Sequence, residues 1–263
     1  MLLCGCSGST PDHPFSITVF SVGKADAILI RADGHTMMID CGEQEDEAFL
    51  LHELEGRGIT HLDVLQITHF DKDHVGSAAS IVNALDIDRI MYPDYVGTRK
   101  EYSAFAAAAE TKGGGEPVTE SIGFALGTAS VTVFPASDAA ALTDEDKEYD
   151  NELSLVTRIE YGSRVFLMCG DVEKGRIKQM LADDTDWSCD WIKLPHHGKY
   201  EKRLSELLKS CRPRYSVMTV SVEEPADDKT VELLEELGIE SYDTLGGNVV
   251  TFCDGESIVI QAG

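Results

Sequence analysis

One short stretch, Thr68-His69-Phe70-Asp71-Lys72-Asp73-His74-Val75-Gly76, carries two imidazoles and two carboxylates. Imidazole nitrogen with carboxylate oxygen is a ligand set for zinc, manganese or iron, and no thiolate is present to close a structural zinc site. The apolar run Leu62-Asp63-Val64-Leu65-Gln66-Ile67 before it reads as a buried strand, and residues 75–85 after it read as a helix. A turn leaving a strand end holds successive side chains in divergent directions. His69 and Asp71 are therefore expected to face one cation, and Asp73 and His74 another. A solvated polar loop is the plainer reading of these residues; the order of ligand types directly after an apolar strand speaks against it.

Further candidates lie downstream. Residues 164–168 form an apolar strand that ends in Cys169-Gly170-Asp171. A carboxylate at the end of a buried strand must be paired or metal-bound to be tolerated. Trp191-Ile192-Lys193-Leu194-Pro195 reads as another strand and leads into His196-His197-Gly198. Side chains alternate faces along a strand, so one of the two imidazoles should complete a metal site while the other either sits behind the metal ligands or donates to a phosphoryl or acyl oxygen. His197 is the preferred ligand and His196 the preferred donor. Asn151, ahead of the strand at 155–161, can offer a carbonyl oxygen or hydrogen-bond a substrate oxyanion.

The elements that must position these groups alternate between short strands and helices with no dividing linker. At 263 residues and 43% hydrophobic content, this supports one folded unit over residues 15–263. Residues 43–55, 99–112, 172–181, 200–211 and 228–237 read as helices, and 144–148 as an acidic, solvated loop. The 47 acidic against 22 basic residues leave a net charge of −25, which gives no electrostatic footprint for duplex DNA. Bound divalent cations would reverse the sign locally in a cleft. Seven cysteines, an odd number without paired zinc-ribbon spacing, read mainly as small core residues. Residues 1–14 stand apart: Leu3-Cys4-Gly5-Cys6 and the polar tether behind it resemble a lipoprotein lipobox, although too few residues precede Cys6 for a working signal as written. A lipid on Cys6 is the one membrane attachment expected, giving a protein on the extracellular face of a bacterial membrane or a secreted one. No feature fixes an oligomeric state.

The pattern His-x-Asp-x-Asp-His-x-Gly resembles the metal motif of the metallo-β-lactamase superfamily, whose commoner form has histidine where this chain has Asp71. Asp71, with Val22-Gly23-Lys24-Ala25-Asp26 upstream and Pro195-His196-His197-Gly198 downstream, is similar to the ComEC-like branch: the extracellular hydrolase domain of bacterial DNA-uptake channels and its free-standing relatives. The likeness runs from about Phe15 to the C-terminus.

That resemblance implies an α/β fold, a four-layer αββα sandwich with metals at one edge. It implies two divalent ions, zinc or manganese, held by His69, Asp71, Asp73, His74, Asp171 and His197, with Asp171 bridging them and a bridging hydroxide as nucleophile. Asp73, Asn151 and His196 become the catalytic set. Asp71 and Asn151, where histidines are commoner, make the first site richer in oxygen and favour manganese or magnesium more than an all-histidine site would. Asp26, and Asp40 in Ile39-Asp40-Cys41-Gly42, are expected to brace the site by hydrogen bonds. The implied activity is metal-dependent hydrolysis, foremost of phosphodiesters, as small diesters or single-stranded DNA. Two departures bear on substrate: Ala25 replaces a glycine, and Asp227-Asp228-Lys229-Thr230 stands where ComEC-like chains carry Gly-His-Pro. The competing readings are a non-catalytic, surface-tethered binding module and a detached partner of an uptake channel. The undegraded ligand set weighs against the first.

Overall fold

The computed structural model describes residues 14–137 and 149–263. The lipobox with Cys4 and Cys6, its tether and the acidic stretch 144–148 lie outside the described residues.

The chain opens with a meander of β1 (Phe15–Val19), β2 (Ala27–Ala32) and β3 (His35–Cys41), to which β4 (His61–Gln66), β5 (Asp86–Pro93) and β6 (Glu116–Val118) add in parallel. A second sheet runs from β7 (Ile122–Leu126), β8 (Ala129–Phe134), β9 (Val156–Tyr161) and β10 (Arg164–Met168), antiparallel, into β11 (Trp191–Lys193), β12 (Tyr215–Met218) and β13 (Glu240–Asp243), parallel. The last strands, β14 (Val249–Cys253) and β15 (Ile258–Ala262), return to the first sheet, where β14 pairs with β1.

The sheets pack face to face through Ile17, Ile28, Ile30, Met37 and Val64 on one side and Val131, Ile159, Phe166 and Trp191 on the other. Phe15 stitches them together, its ring 4.7 Å from Tyr161 and 4.8 Å from Phe166. The alternate residues of the same strands, Leu29, Met38 and Leu65, face outward and are covered by α1 (Glu47–Gly56), α2 (Lys72–Val75), α3 (Ala78–Ala84) and α4 (Lys100–Thr111). Strands apolar on both faces read as continuous runs, as Ala27-Ile28-Leu29-Ile30 does. The short α5 (Tyr149–Glu152) leads into β9, while α6 (Lys174–Ala182), α7 (Leu204–Cys211) and α8 (Asp228–Leu237) cover the far face of the second sheet through Ile177, Met180, Leu207, Leu208, Leu233 and Leu234. The result is the four-layer αββα sandwich. No helix among the described residues is long and apolar enough to cross a membrane.

Three expectations need correcting. The helix expected over 75–85 begins earlier, at Lys72, and breaks after Val75, so Asp73 and His74 sit on a helical turn and not on a loop. Gly76 follows this first turn at a close contact with another segment. An added Cβ there would meet the Glu43 carbonyl carbon at 2.4 Å, because the backbone of the turn at 43–44 is pressed against it. The helix expected over 200–211 starts only at Leu204. Strands β6, β7 and β13 are not among the elements expected from the sequence; β7 lies at a sheet edge and alternates half-exposed and exposed residues up to the buried Leu126.

Replacing Gly76 with alanine should therefore lower the urea midpoint by the equivalent of about 1–3 kcal/mol, the usual cost of overpacking, and lower metal content with it.

Candidate metal centre

The sequence candidates come together where strands of both sheets end. Asp40 lies in β3, the Thr68–His74 segment follows β4, Asp171 follows β10 and His196-His197 follow β11. Backbone hydrogen bonds lock these ends together: Leu155 N–H donates to Thr68 O at 2.9 Å, and His196 N–H to Gly170 O at 3.1 Å.

Two buried aspartates set the rings. Asp40 adopts a left-handed φ of 59°. Its Oδ1 accepts from Thr68 N–H, and its Oδ2 accepts from the Thr68 hydroxyl and from His74 Nδ1–H at 2.8 Å. The Thr68 oxygen, its hydrogen spent on Asp40, lies 3.1 Å from His69 Nδ1, with Ser154 Oγ at 3.3 Å. Asp26 repeats the device through Thr219, whose hydroxyl donates to Asp26 Oδ1 at 2.6 Å and whose oxygen meets His197 Nδ1 at 2.8 Å. Lys193, fully buried, places Nζ 2.9 Å from the same Asp26 oxygen. Each ring is thus held at Nδ1 and presents Nε2.

The Nε2 atoms converge on carboxylates. His74 Nε2 is 3.3 Å from Asp171 Oδ1, and His197 Nε2 is 3.2 Å from Asp171 Oδ2 and 3.4 Å from Asp73 Oδ2. His69 Nε2 lies 4.0 Å from Asp71 Oδ2. Ligands about 2.1 Å from a tetrahedral ion stand roughly 3.4 Å apart, so these spacings suit donors around a divalent cation. Nε2 of His69, His74 and His197 and Oδ1 of Asp171 are buried without a hydrogen-bond partner, as is Oδ1 of Asn151. Such orphaned polar atoms, aimed at one another, fit a metal centre. Asp26 is also within reach of this group, but with one oxygen spent on Lys193 and Thr219 it acts behind His197.

The reason given for separating His196 from His197 does not hold. Both lie in a tight turn with left-handed φ of 48° and 55°, beyond the strand, so alternation of faces does not apply. Their Nδ1 partners separate them instead. His196 Nδ1 faces Glu173 Oε1 at 3.1 Å and Glu201 Oε1 at 3.4 Å, leaving Nε2 3.8 Å from Asp171 Oδ2 at the wall of the cleft. Lys199 stands 3.5 and 3.8 Å from those glutamates. Asn151, on α5, donates from Nδ2 to Glu173 Oε1 at 3.4 Å. His196 and Asn151, with Asp71, Asp73 and Asp171, line a cleft of about 640 Å³.

Sequence reasoning missed Thr68, Thr219, Ser154, Glu173 and Glu201 as holders of the rings. It also missed Lys193, whose charge inside the run Trp191-Ile192-Lys193-Leu194 was a visible signal. Thr219 and Glu201 carried none.

The charges follow from this packing. Burial opposes charge on His197, yet the Asp171 and Asp26 carboxylates outweigh it and raise its pKa to about 10. His74 is likewise raised by Asp171 and Asp40 against burial. Burial, reinforced by the neighbouring His74 charge, lowers His69 to about 3. With chelator-stripped protein at neutral pH, His74 and His197 are protonated and must lose those protons to bind metal. Zinc or manganese titrated into that protein should release roughly two protons per chain, read by calorimetry in buffers of different ionisation enthalpy. Asp171→Ala should bind at most one ion, weakly, because two cations lose their shared anion.

The profile of the metallo-β-lactamase superfamily matches residues 21–219. ComE operon protein 3 of Bacillus subtilis (strain 168) is 26% identical over 222 residues, a match covering 77% of this chain and 28% of that protein. The chain spans about a quarter of the length of the curated relatives it matches. This likeness agrees with the ComEC-like branch read from Asp71 and the His196-His197 pair. Among solved structures, the metallo-β-lactamase fold protein YhfI from Bacillus subtilis superposes with a TM-score of 0.59 at 11% identity, covering 94% of this chain and 100% of that one. Igni18, a metallo hydrolase from Ignicoccus hospitalis, superposes with a TM-score of 0.57 at 14% identity, covering 94% and 99%. Identities this low speak for the fold, and the profile match over most of the sequence speaks for descent: this chain belongs to the metallo-β-lactamase superfamily of metal-dependent hydrolases.

Proposed function

We propose that this chain is a dinuclear phosphodiesterase that takes small diesters or single-stranded nucleic acid, with zinc or manganese as its ions. The observation that carries the reading is Asp171, whose two oxygens face different imidazoles, His74 from Oδ1 and His197 from Oδ2. That carboxylate sits in one cluster with His74 and His197, with Asp73 beside His197, and the His69 ring, 4.0 Å from that of His74, brings in a second pair of donors, His69 with Asp71. When bound, divalent cations held by these residues would supply a water activated near neutral pH and charge to offset that on a phosphodiester's oxygens.

The chain's own groups do the rest. Asp40 and Asp26, acting through Thr68 and Thr219, fix the imidazole rings before substrate arrives. His196 presents Nε2 to the cleft as a donor to charge developing on the transferring group, and Glu173 and Glu201 hold its other nitrogen. Asn151, 3% exposed, lines the same cleft, and its buried Oδ1 has no hydrogen-bond partner. The −25 surface disfavours a long duplex, which would have to lie across it. A lipid on Cys6 would tether the protein to a membrane surface, and that location is part of the proposal.

Reconstituted protein should cleave a chromogenic diester and single-stranded DNA faster than double-stranded DNA at physiological salt. Faster turnover of long duplex would overturn the reading of the surface. His197→Ala should lower metal occupancy and regain part of its activity in excess metal, whereas His196→Ala should keep its metal and lose roughly 10²–10³ in turnover. Full activity and full metal content in both variants would remove the pair from the site.

A further inference from the structure

Arg99 stands at the cleft on a segment latched to the metal loop. Phe70 N–H, between His69 and Asp71, donates to Tyr95 Oη at 2.8 Å. The Phe70 ring lies 4.7 Å from Tyr95 and 4.5 Å from Tyr102. Gly97 closes the contact: an added Cβ would stand 2.6 Å from Tyr102 Cγ and 2.9 Å from Phe70 Cβ. This latch fixes where Arg99 emerges. Its Nη2 donates to Asp71 Oδ1 at 3.2 Å, and 53% of its side chain remains exposed.

A guanidinium has five N–H donors, and Asp71 accepts from one nitrogen. Among the described residues lining the cleft, Arg99 is the only lysine or arginine, against Asp71, Asp73, Asp150 and Asp171. Three of those aspartates belong to the donor set and are offset by bound cations; Asp150 is not. Its carboxyl is raised by burial and by Asp71, with Arg99 opposing, so the arginine's field reaches across the cleft. Arg99 is also the N-cap of α4, which carries no side-chain cap. Asn151 lines the same cavity, and its Oδ1 is buried without a hydrogen-bond partner.

We propose that Arg99 is a substrate-anion anchor, selecting phosphodiesters that carry a second phosphate beside the scissile one, with Asp150 as the opposing charge that sets its strength; this rests on the phosphodiesterase reading above. Planar, bidentate pairing is what arginine offers a phosphate. The rival role is purely structural: Arg99 orients Asp71 and touches no substrate.

The test compares a thymidine dinucleotide with and without a terminal phosphate, on wild type, Arg99→Ala, Arg99→Lys and Asp150→Asn, with metal content measured for each. Wild type should favour the phosphorylated dinucleotide. Arg99→Ala should raise KM for it roughly tenfold or more while changing KM for the other less than about threefold, with metal retained, since a lost charged hydrogen bond acts only where its partner is present. Arg99→Lys should fall between, and Asp150→Asn should lower KM for the phosphorylated form. Equal losses on both dinucleotides with loss of metal would reduce Arg99 to holding Asp71, and an unchanged preference would overturn the anchor. Binding of both dinucleotides is read in parallel by calorimetry with calcium as the only divalent ion. If wild type cleaves neither, the phosphodiesterase reading fails, and the calorimetry decides on the anchor: an Arg99-dependent preference for the phosphorylated form upholds it, and equal binding ends it.

Discussion

Asp171 is buried to 2% exposure beside three imidazoles and a second aspartate, where neither its own charge nor theirs is hydrated. A carboxylate in that position survives only by being matched, and in the metal-free protein the protons on His74 and His197 match it. The other arrangements follow from this need. Threonines 68 and 219 tie rings to aspartates set one layer further back, and Lys193 keeps one of those aspartates ionised from beneath. Cations replacing the protons meet the same demand with the same donors.

The left-handed pair His196 and His197 shows how much the fold gives up for this geometry. Non-glycine residues in that region each cost about 1–3 kcal/mol, and two in succession persist only where the surroundings over-determine them. The hydrogen bond from His196 N–H to Gly170 O and the Nδ1 contacts of both rings supply that determination.

Much of this was legible in the chain. His69 to His74 announced ligands by type and order, and runs such as Ala27-Ile28-Leu29-Ile30 announced strands buried on both sides. The layered architecture came from family likeness, because periodicity alone reaches only a mixed α/β class. What stayed hidden depends on contacts between distant segments. Glu201 becomes a partner of His196 only because a turn places them together, Thr219 looks like any strand-end threonine, and the close approach of the backbone at 43–44 to Gly76 joins segments distant in the chain. Arg99 was taken as the start of a helix, with nothing local to mark the cleft above it.

The return of the last strands to the first sheet has a consequence for how the protein is made. Phe15 pairs with Cys253 and Val19 with Val249, so the first strand finds one of its two neighbours only near the end of the polypeptide. Loop-closure entropy must be met before that pairing gains anything, and topologies dominated by such distant contacts fold slowly. During synthesis β1 lacks that neighbour until β14 has emerged, and until then its open edge is exposed to pairing with other nascent chains. The metal centre, whose walls stand on both sheets, therefore rests on a sheet whose first strand is paired on both sides only once β14 has joined it.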